Sequence, residues 1–191
     1  MKLVFATSNV NKAAEIARLL PASIEIVTLR DLEVTEDIPE TSDTLEGNAH
    51  LKAAYVTEHF GLPCFADDTG LEIEALDQRP GVRSARYAGE HRSDADNMQK
   101  VLNELETIEN RTARFRTVIA LHLPNKQLEF EGIVDGRILS EKQGDEGFGY
   151  DPIFAPEGEK RSFAEMSMDE KNAISHRGRA IKKLVEYLAS I

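Results

Sequence analysis

Cysteine is almost missing from this chain, since Cys64 is the single cysteine among 191 residues. One thiol cannot form an internal disulfide, which indicates a reducing compartment, and its apolar surroundings predict a buried, unreactive side chain. Long apolar runs are also missing, and the apolar start at residues 1–6 is far too short for a signal or membrane-spanning segment. We therefore expect a cytoplasmic protein with no membrane contact.

Basic residues are outnumbered, with 23 Lys and Arg against 34 Asp and Glu and a net charge of −11. A broad nucleic-acid surface depends on many contacts between basic side chains and phosphates. The composition therefore argues against direct nucleic-acid binding. A small anionic ligand stays compatible if a few Lys and Arg converge locally or a divalent metal screens its phosphates, because one pocket can differ from the whole protein.

Several well-known motifs are absent: a Walker A sequence, a GxGxxG after a strand, a GxSxG elbow and a Cys/His metal cluster. The chemistry must therefore rest on carboxylates, Lys, Arg and backbone groups. There is also no internal repeat and no linker that would divide the chain. At this length, with 41% hydrophobic and 30% charged residues, we expect a single domain over residues 1–191, compact or built as two small lobes around a cleft.

Apolar periodicity predicts alternating strands and helices, hence an α/β fold. The predicted strands cover residues 3–6, 24–29, 64–66, 71–73, 115–123 and 128–138. The predicted helices cover residues 13–20, residues 44–60, a segment capped near Ser93 or Asp94, and the C-terminal segment that begins at 175–177. Pro124-Asn125-Lys126 separates the last two strands as a hairpin, which makes a mixed sheet more plausible than a parallel one.

Two adjacent acidic residues, Asp67 and Asp68, follow a buried strand and precede a predicted turn at Gly70. Neighbouring carboxylates repel each other, so a fold that keeps both usually provides a cation or a shifted pKa. An Asp-rich turn is an equally weighted alternative, because Asp accepts turn conformations and hydrogen-bonds to its own backbone. The segment alone leaves both interpretations open.

Cationic side chains accompany two other predicted elements. The polar turn from Thr7 to Lys12 leads into a helix, whose free N–H groups and dipole favour an anion, and Lys12 could reach a phosphate there. A capped helix with a solvated Lys12 is the simpler interpretation. Asn48 and Lys52 lie four residues apart and share one helix face, while Glu40 lies within an acidic loop over residues 33–43.

Residues 144–154 combine three glycines with interleaved aromatic residues. This composition is typical of a loop that approaches a flat ligand, or of an aromatic turn packed against the core. His176 and Arg177 are predicted in the first turn of the last helix, where the dipole disfavours cations. Their position there suggests a ligand or an acidic partner nearby.

Together these segments resemble the inosine triphosphate pyrophosphatase family, also called the Ham1-like or non-canonical purine NTP pyrophosphatases. The motifs occur in family order over nearly the whole chain: Thr7–Lys12, Asn48-Ala49, Lys52-Ala53, Ala66–Leu71, Pro80-Gly81, Ser84–Tyr87, Gly147–Pro152, Phe163–Glu165, Glu170–Asn172 and Ser175–Arg177. Two departures stand out. Thr69 occupies a position where Ser is usual and keeps the hydroxyl. Gly47 replaces a frequent acidic residue, so no metal ligand is expected there.

The resemblance implies a two-lobed α/β fold with a mixed sheet, flanking helices and a central substrate cleft, as well as a homodimer. It implies hydrolysis of purine nucleoside triphosphates (ITP, dITP and XTP) to the monophosphate and pyrophosphate, which keeps these nucleotides out of DNA and RNA. It also implies Mg²⁺, which prefers a few carboxylates plus substrate phosphate oxygens. Glu40 and Asp68 are the expected ligands.

Roles for individual residues follow from the same resemblance. Asp68 is expected to orient or deprotonate the water that attacks the α-phosphorus, with Asp67 in support. The expected phosphate-binding residues are Thr7, Ser8, Asn9, Val10, Asn11, Lys12, Lys52 and Thr69. The expected base-binding residues are Phe148, which stacks on the purine, and Gly149, Tyr150, Asp151, Lys171, His176 and Arg177.

Two alternatives are compatible with the same scaffold. One is a related pyrophosphatase that acts on modified pyrimidine or canonical nucleotides. The other is a nucleotide-binding protein without turnover, which the presence of Asp68, Lys12 and Glu40 disfavours.

Overall fold

The computed structural model describes residues 1–191 and contains seven strands and five α-helices. The strands are β1 (Lys2–Phe5), β2 (Glu25–Thr28), β3 (Cys64–Ile73), β4 (Arg79–Gly81), β5 (Thr112–Leu123), β6 (Lys126–Ile138) and β7 (Phe154–Pro156). The helices are α1 (Val10–Leu19), α2 (Leu45–Phe60), α3 (Asp94–Glu104), α4 (Met168–Ile174) and α5 (His176–Leu188). None of these helices has the length and apolar character that crossing a membrane requires.

The strands form one mixed sheet in the order β2-β1-β3-β5-β6-β7, with β4 also paired to β3. β1 runs parallel to both β2 and β3, whereas β4 is antiparallel to β3 and β7 is antiparallel to β6. Pro124 and Asn125 alone connect β5 to β6, as the predicted hairpin requires. The α/β fold with a mixed sheet is therefore confirmed.

The predicted turn at Gly70 is wrong, because β3 continues without a break from Cys64 to Ile73. A Cβ atom at Gly70 would lie 2.7 Å from the carbonyl oxygen of Gly81 on β4. The glycine therefore permits the close approach of two strands and does not end one. This difference matters for the site, because Asp67 and Asp68 lie inside an extended strand.

Short polar signals set the helix ends. The Asn9 side chain caps α1 by accepting hydrogen bonds from the backbone N–H groups of Asn11 and Lys12. Thr44 caps α2 in the same way through the N–H of Gly47, and Gly61 ends that helix in the left-handed conformation that glycine favours.

The chain divides into two compact units. Unit 1 comprises Met1–Asp68, Thr117–Gly132 and Arg177–Ile191, and unit 2 comprises Thr69–Arg116 and Ile133–His176. In unit 1, alternate residues of β1, β3 and β5 supply two separate cores. Phe5 and Phe65 belong to the core that includes Ile16 of α1 and Ile181 of α5. The other core contains residues of α2 together with the following residues in or next to the strands: Val4, Ala6, Cys64, Ala66 and Ala120.

Cys64 is fully buried in unit 1, as predicted. Burial raises the pKa of its thiol to about 12, so the thiolate that reacts with oxidants is hardly populated near neutral pH.

Unit 2 has its own core, centred on aromatic rings. Phe115 lies 4.7 Å from Phe154 in an edge-to-face arrangement, and Phe154 lies 5.4 Å from Phe163. A Cβ atom at Gly136 would lie 2.3 Å from the carbonyl oxygen of Ala155, so this glycine permits the close approach of β6 and β7.

Candidate active site

The two adjacent aspartates belong to different environments because successive side chains of a strand point to opposite faces. Asp67 follows the register of Phe65, whose face carries α1 and α5. Asp68 follows the register of Ala66, whose face carries α2. Both side chains are buried, with residue exposures of 1% for Asp67 and 8% for Asp68. The extended backbone thus keeps the two carboxylates apart although they are neighbours in sequence.

Asp67 is surrounded by two cations. Lys12 Nζ lies 3.1 and 3.2 Å from its two carboxylate oxygens, and Arg177 Nε donates a hydrogen bond of 3.3 Å to Oδ2. The guanidinium of Arg177 also pairs with Glu15. Arg177 and Glu15 are each only 2% exposed, so this is a buried ionic network that links α1, β3 and α5.

Asp68 has a different set of partners, mostly from α2. Asn48 Nδ2 donates to Asp68 Oδ2 at 3.3 Å, while Asn48 Oδ1 accepts from the backbone N–H of Ser42 at 2.9 Å. The Ser42 contact fixes the orientation of the amide, so its NH₂ group faces the carboxylate. Lys52 Nζ lies 3.5 Å from Asp68 Oδ1 and 2.6 Å from Glu40 Oε1.

These environments move the two pKa values in opposite directions. Burial alone raises the pKa of Asp67, but Lys12, Arg177 and Lys52 outweigh burial and hold it well below its usual value. Burial also raises the pKa of Asp68, and there the opposing effects of Lys52 and Lys12 are too small to reverse it. Two carboxylates separated in this way are suited to different roles, one as a permanent charge and one as a proton acceptor.

The residues present fit a divalent metal ion. The ammonium group of Lys52 contacts both Glu40 and Asp68, so oxygens of both carboxylates already converge on one cation. Glu40 and Asp68 thus offer carboxylate oxygens on either side of one cation position. Oxygen ligands are what Mg²⁺ prefers. Its binding here stays a prediction.

Burial lowers the pKa of Lys52, but Asp68 and then Glu40 reverse the effect and raise it, so this side chain keeps its charge. Burial also lowers the pKa of Lys12, against the opposing effect of Asp67. Lys12 is therefore not the solvated lysine of the simpler interpretation. It is a cation in the first turn of α1, and it contacts the carboxylate of Asp67.

Helix α1 begins at Val10, so the predicted polar turn ends at Asn9, and Val10, Asn11 and Lys12 lie in the first turn of the helix. Ser8, Asn9 and Asn11 are exposed and Thr7 is partly buried, while Val10 is an exposed apolar side chain. Thr7 Oγ1 accepts from the N–H of Asn9 at 3.2 Å, and Asn9 Oδ1 accepts from Asn11 and Lys12. Thr69 follows Asp68 directly in β3 and is partly buried. Phosphate binding by these residues stays a prediction.

In unit 2, Asp151 organises the glycine-aromatic loop. Its Oδ2 accepts from the backbone N–H of Phe148 at 2.9 Å and from Lys171 Nζ at 2.7 Å. Lys171 also lies 4.9 Å from the centre of the Phe148 ring, within the range of a cation–π contact. The predicted stacking ring and the predicted edge-reading lysine are therefore brought together by a buried carboxylate.

The neighbouring predicted base-binding residues are also held firmly. Tyr150 donates its hydroxyl to the carbonyl of Ser84 at 2.7 Å, and Gly149 donates its N–H to Asp94 at 2.8 Å. His176 is buried and stacks on Phe115, with ring centroids 4.6 Å apart.

Arg177 is the exception among the predicted base-binding residues. It lies in unit 1 with Glu15 and Asp67, whereas Phe148, Asp151, Lys171 and His176 lie in unit 2. Its contacts give it a structural role beside Asp67, and reading of the base by Arg177 stays an untested prediction.

The sequence patterns do not predict two residues of the site, Glu15 and Asp94. Glu15 pairs with Arg177. The sequence pattern that could have indicated this residue is its position three residues after Lys12, on the helix face that also carries Leu19. The sequence pattern predicts Asp94 only as a helix cap. Its contact with Gly149 joins segments 55 residues apart, which no local pattern indicates.

The structure also explains the glycine at position 47. A Cβ atom there would lie 2.0 Å from Ser42 Oγ, so a larger residue would displace the segment that orients Asn48.

Comparisons with known proteins give one consistent result. The model of the Ham1 family matches residues 3–187. The dITP/XTP pyrophosphatase of Flavobacterium psychrophilum is 57% identical over 187 residues, which is 98% of both chains. The protein of the same name from Flavobacterium johnsoniae is 55% identical and covers 100% of this chain and 99% of its own. A HAM1 protein structure from Coxiella burnetii superimposes with a TM-score of 0.92 at 42% identity and full coverage of both chains. The chain therefore belongs to the Ham1 family.

Proposed function

We propose that this protein is a Mg²⁺-dependent pyrophosphohydrolase that converts ITP, dITP and XTP to the monophosphate and pyrophosphate. The names of its relatives, dITP/XTP pyrophosphatase, support the substrate class. The observation that carries the proposal is the pair Asp67 and Asp68, whose buried carboxylates have pKa values moved in opposite directions by different cations. Such a pair combines a structural charge with a proton acceptor.

In the proposed reaction, Asp68 orients a water molecule and accepts one of its protons. The water oxygen forms a bond to the α-phosphorus as the bond between the α-phosphorus and the bridging oxygen breaks, and pyrophosphate leaves. If Glu40 and Asp68 bind Mg²⁺, the metal ion would neutralise part of the negative charge of the phosphates. Lys12 and Lys52 contribute further positive charge, because this type of transfer depends mainly on positioning and charge neutralisation.

Asn48 has a positioning role in this proposal. Its amide is fixed by the N–H of Ser42 and donates to Asp68, which holds one carboxylate oxygen and leaves the other directed at Lys52. A base whose rotation is restricted in this way keeps the geometry needed for attack.

Selection of the base would rest on hydrogen-bond donors. Hypoxanthine and xanthine carry a carbonyl acceptor at C6, where adenine carries an amino donor. Lys171 is a buried donor held by Asp151 next to the Phe148 ring. A donor facing the adenine amino group would stay unsatisfied, which costs ~1–3 kcal/mol for one buried group. Several such contacts together discriminate strongly.

A substrate panel with product identification tests the function. We expect pyrophosphate release from ITP, dITP and XTP to exceed release from ATP and CTP by at least tenfold in kcat/KM, with the Asp68→Asn variant as the inactive control. Equal rates for ATP, CTP and ITP would refute the substrate class. Orthophosphate as the first product would refute attack at the α-phosphorus. Turnover with EDTA in place of Mg²⁺ would refute the metal requirement.

The cellular context and the assembly are proposed as well. A cytoplasmic location would give the enzyme access to the nucleotide pool. We expect a homodimer, which light scattering coupled to size-exclusion chromatography tests: a mass equal to one 21.3 kDa chain would refute it.

A further inference from the structure

A histidine pair lies in unit 1 among residues that the proposed reaction does not use. His50 Nδ1 and His122 Nε2 are 2.8 Å apart, and His50 Nε2 lies 2.8 Å from Glu129 Oε1. The three residues come from α2, β5 and β6. On α2, His50 stands to one side of the buried stripe formed by Ala49, Ala53 and Val56, while Asn48 and Lys52 stand on the other.

The alternation of side chains along β5 explains why His122 contacts His50. Ile119 and Leu121 face the core shared with α1 and α5, whereas Ala120 belongs to the core that contains α2. His122 continues the register of Ala120 and is therefore directed toward α2, where it is 3% exposed. The side chain of His50 is 30% exposed, so the pair is accessible from that side.

Hydrogen bonding selects which nitrogen of His50 carries its proton. The Glu129 carboxylate can only accept, so His50 Nε2 carries the hydrogen and donates it. His50 Nδ1 is then a bare nitrogen with its lone pair directed at His122 Nε2. A carboxylate behind one ring nitrogen is the usual support of a metal-binding histidine, because it fixes the tautomer and raises the basicity of the other nitrogen.

We propose that His50 and His122 bind a divalent transition-metal ion such as Zn²⁺, through His50 Nδ1 and His122 Nε2, with Glu129 in support. Two nitrogens on a tetrahedral Zn²⁺ at 2.0–2.1 Å lie ~3.3 Å apart. The present distance of 2.8 Å therefore needs to increase by about 0.5 Å, a small rotation of the half-exposed His50 ring. On binding, His122 changes to the tautomer that carries its hydrogen on Nδ1, so both facing nitrogens bind the metal as neutral imidazoles.

The surroundings leave room for the remaining ligands. A cavity of about 610 Å³ adjoins both rings and is also lined by the oxygen-bearing side chains of Thr41, Ser42 and Gln127. No third His, Cys, Asp or Glu completes the site, so water or these neutral oxygens fill the other positions. Such a site is open to exchange, unlike a closed structural site with four protein ligands.

The chemistry of the donors separates this site from the proposed catalytic one. Imidazole nitrogens suit Zn²⁺, Cu²⁺ and Ni²⁺, whereas carboxylate oxygens suit Mg²⁺. Glu40 and Asp68 supply only oxygens, and the histidine pair supplies only nitrogens. Excess Mg²⁺ therefore occupies the carboxylate site without displacing Zn²⁺ from the histidines.

Calorimetric titration of the metal-free full chain with Zn²⁺, in excess Mg²⁺, tests the proposal. We expect one Zn²⁺ per chain, an affinity at least tenfold lower in His50→Ala and in His122→Ala, and a loss of about 10–100-fold in Glu129→Gln. His59→Ala is the matched control, because His59 also lies on α2 but stacks on Tyr55. Its affinity should equal that of the unaltered protein.

Three outcomes would overturn the site: no binding of Zn²⁺, equal affinity in the His50→Ala variant, or an equal loss in the His59→Ala control. If His122→Ala does not fold, the half-exposed His50 and Glu129 variants still decide the question. A second readout is the visible absorption of bound Co²⁺, which should show the intense bands of a tetrahedral nitrogen-containing site and disappear in His50→Ala. Bands that persist in this variant would also refute the proposal.

Discussion

Replacing each of the two adjacent aspartates by asparagine should separate stability from catalysis. Asp67→Asn and Asp68→Asn remove one charge at neighbouring positions and preserve side-chain volume. Both residues are buried, and they differ in their partners: Asp67 contacts Lys12 and Arg177, whereas Asp68 contacts Asn48 and Lys52. The two variants are therefore controls for each other.

The Asp67→Asn variant should be strongly destabilised. It removes a carboxylate partner of Lys12 and leaves Arg177 with Glu15, and removing one partner of a buried ion pair costs about 3–5 kcal/mol. For a chain of this length, 1 kcal/mol shifts Tm by roughly 2–4 °C. We therefore expect Tm to fall by roughly 6–20 °C.

The Asp68→Asn variant should keep its stability and lose its activity. The pKa of Asp68 is raised, first by burial, so the fold does not favour its ionised form, and Lys52 keeps Glu40 as a partner when Asp68 is neutralised. We expect the free energy of unfolding to change by less than about 1 kcal/mol. Loss of a general base lowers turnover by about 10²–10⁴-fold.

Urea unfolding followed by circular dichroism in EDTA gives the first quantity, and pyrophosphate release from ITP with Mg²⁺ gives the second. The reasoning is refuted if Asp67→Asn unfolds at the same urea concentration as the unaltered protein, or if Asp68→Asn is destabilised as much as Asp67→Asn. Retained turnover in Asp68→Asn would mean that another group accepts the proton.

Three further predictions concern Arg177, the pH dependence of the Asp67 contacts, and Asp151. Arg177→Met should lower the free energy of unfolding by about 3–5 kcal/mol, because buried Glu15 and Asp67 both lose this partner. The ratio of kcat/KM for ITP over ATP should stay within about twofold, and a large fall in that ratio would instead assign Arg177 to base reading. Because the folded-state pKa of Asp67 is lowered, its stabilisation is complete above its ordinary pKa of about 3.9 and is lost as the pH falls through the lowered value. The stability difference between the unaltered protein and Asp67→Asn should thus be constant from pH 5 to 8 and shrink below about pH 4, and a difference that grows in acid would contradict this. Asp151→Asn weakens the hydrogen bonds that Asp151 accepts from Phe148 and Lys171. This variant should raise KM for ITP by about 10-fold or more, with a smaller change in kcat. An unchanged KM would show that Asp151 does not position the base-binding residues.

Local signals in the sequence predicted the longer elements of the fold, but not the short elements β4, β7 and α4. Periodicity located the first strand and the helix that becomes α2, and the Pro124-Asn125 connection predicted the hairpin of β5 and β6. Caps such as Asn9 and Thr44 act within four residues, so they can be recognised without any tertiary information. The single buried cysteine was predicted for the same reason, from its apolar neighbours.

The turn predicted at Gly70 shows what local sequence patterns do not reveal. Glycine after two aspartates is typical of a turn, and only the pairing of Leu71 with Gly81 reveals that the strand continues. Nothing within a few residues of Gly70 indicates that β4 approaches closely enough to require a glycine.

The sequence by itself determined the family and the α/β class, and it predicted Asp67, Asp68, Lys12 and Glu40 as residues of the site, because these depend on residue types in a fixed order. Tertiary structure alone decided how the environments of the two aspartates differ. Extended backbone directs them to opposite faces, so α1 and α5 supply the cations that lower the pKa of Asp67, and α2 supplies the partners of Asp68. The contact between Arg177 and Glu15 joins residues 162 positions apart, and only the packing of α1 against α5 brings them together.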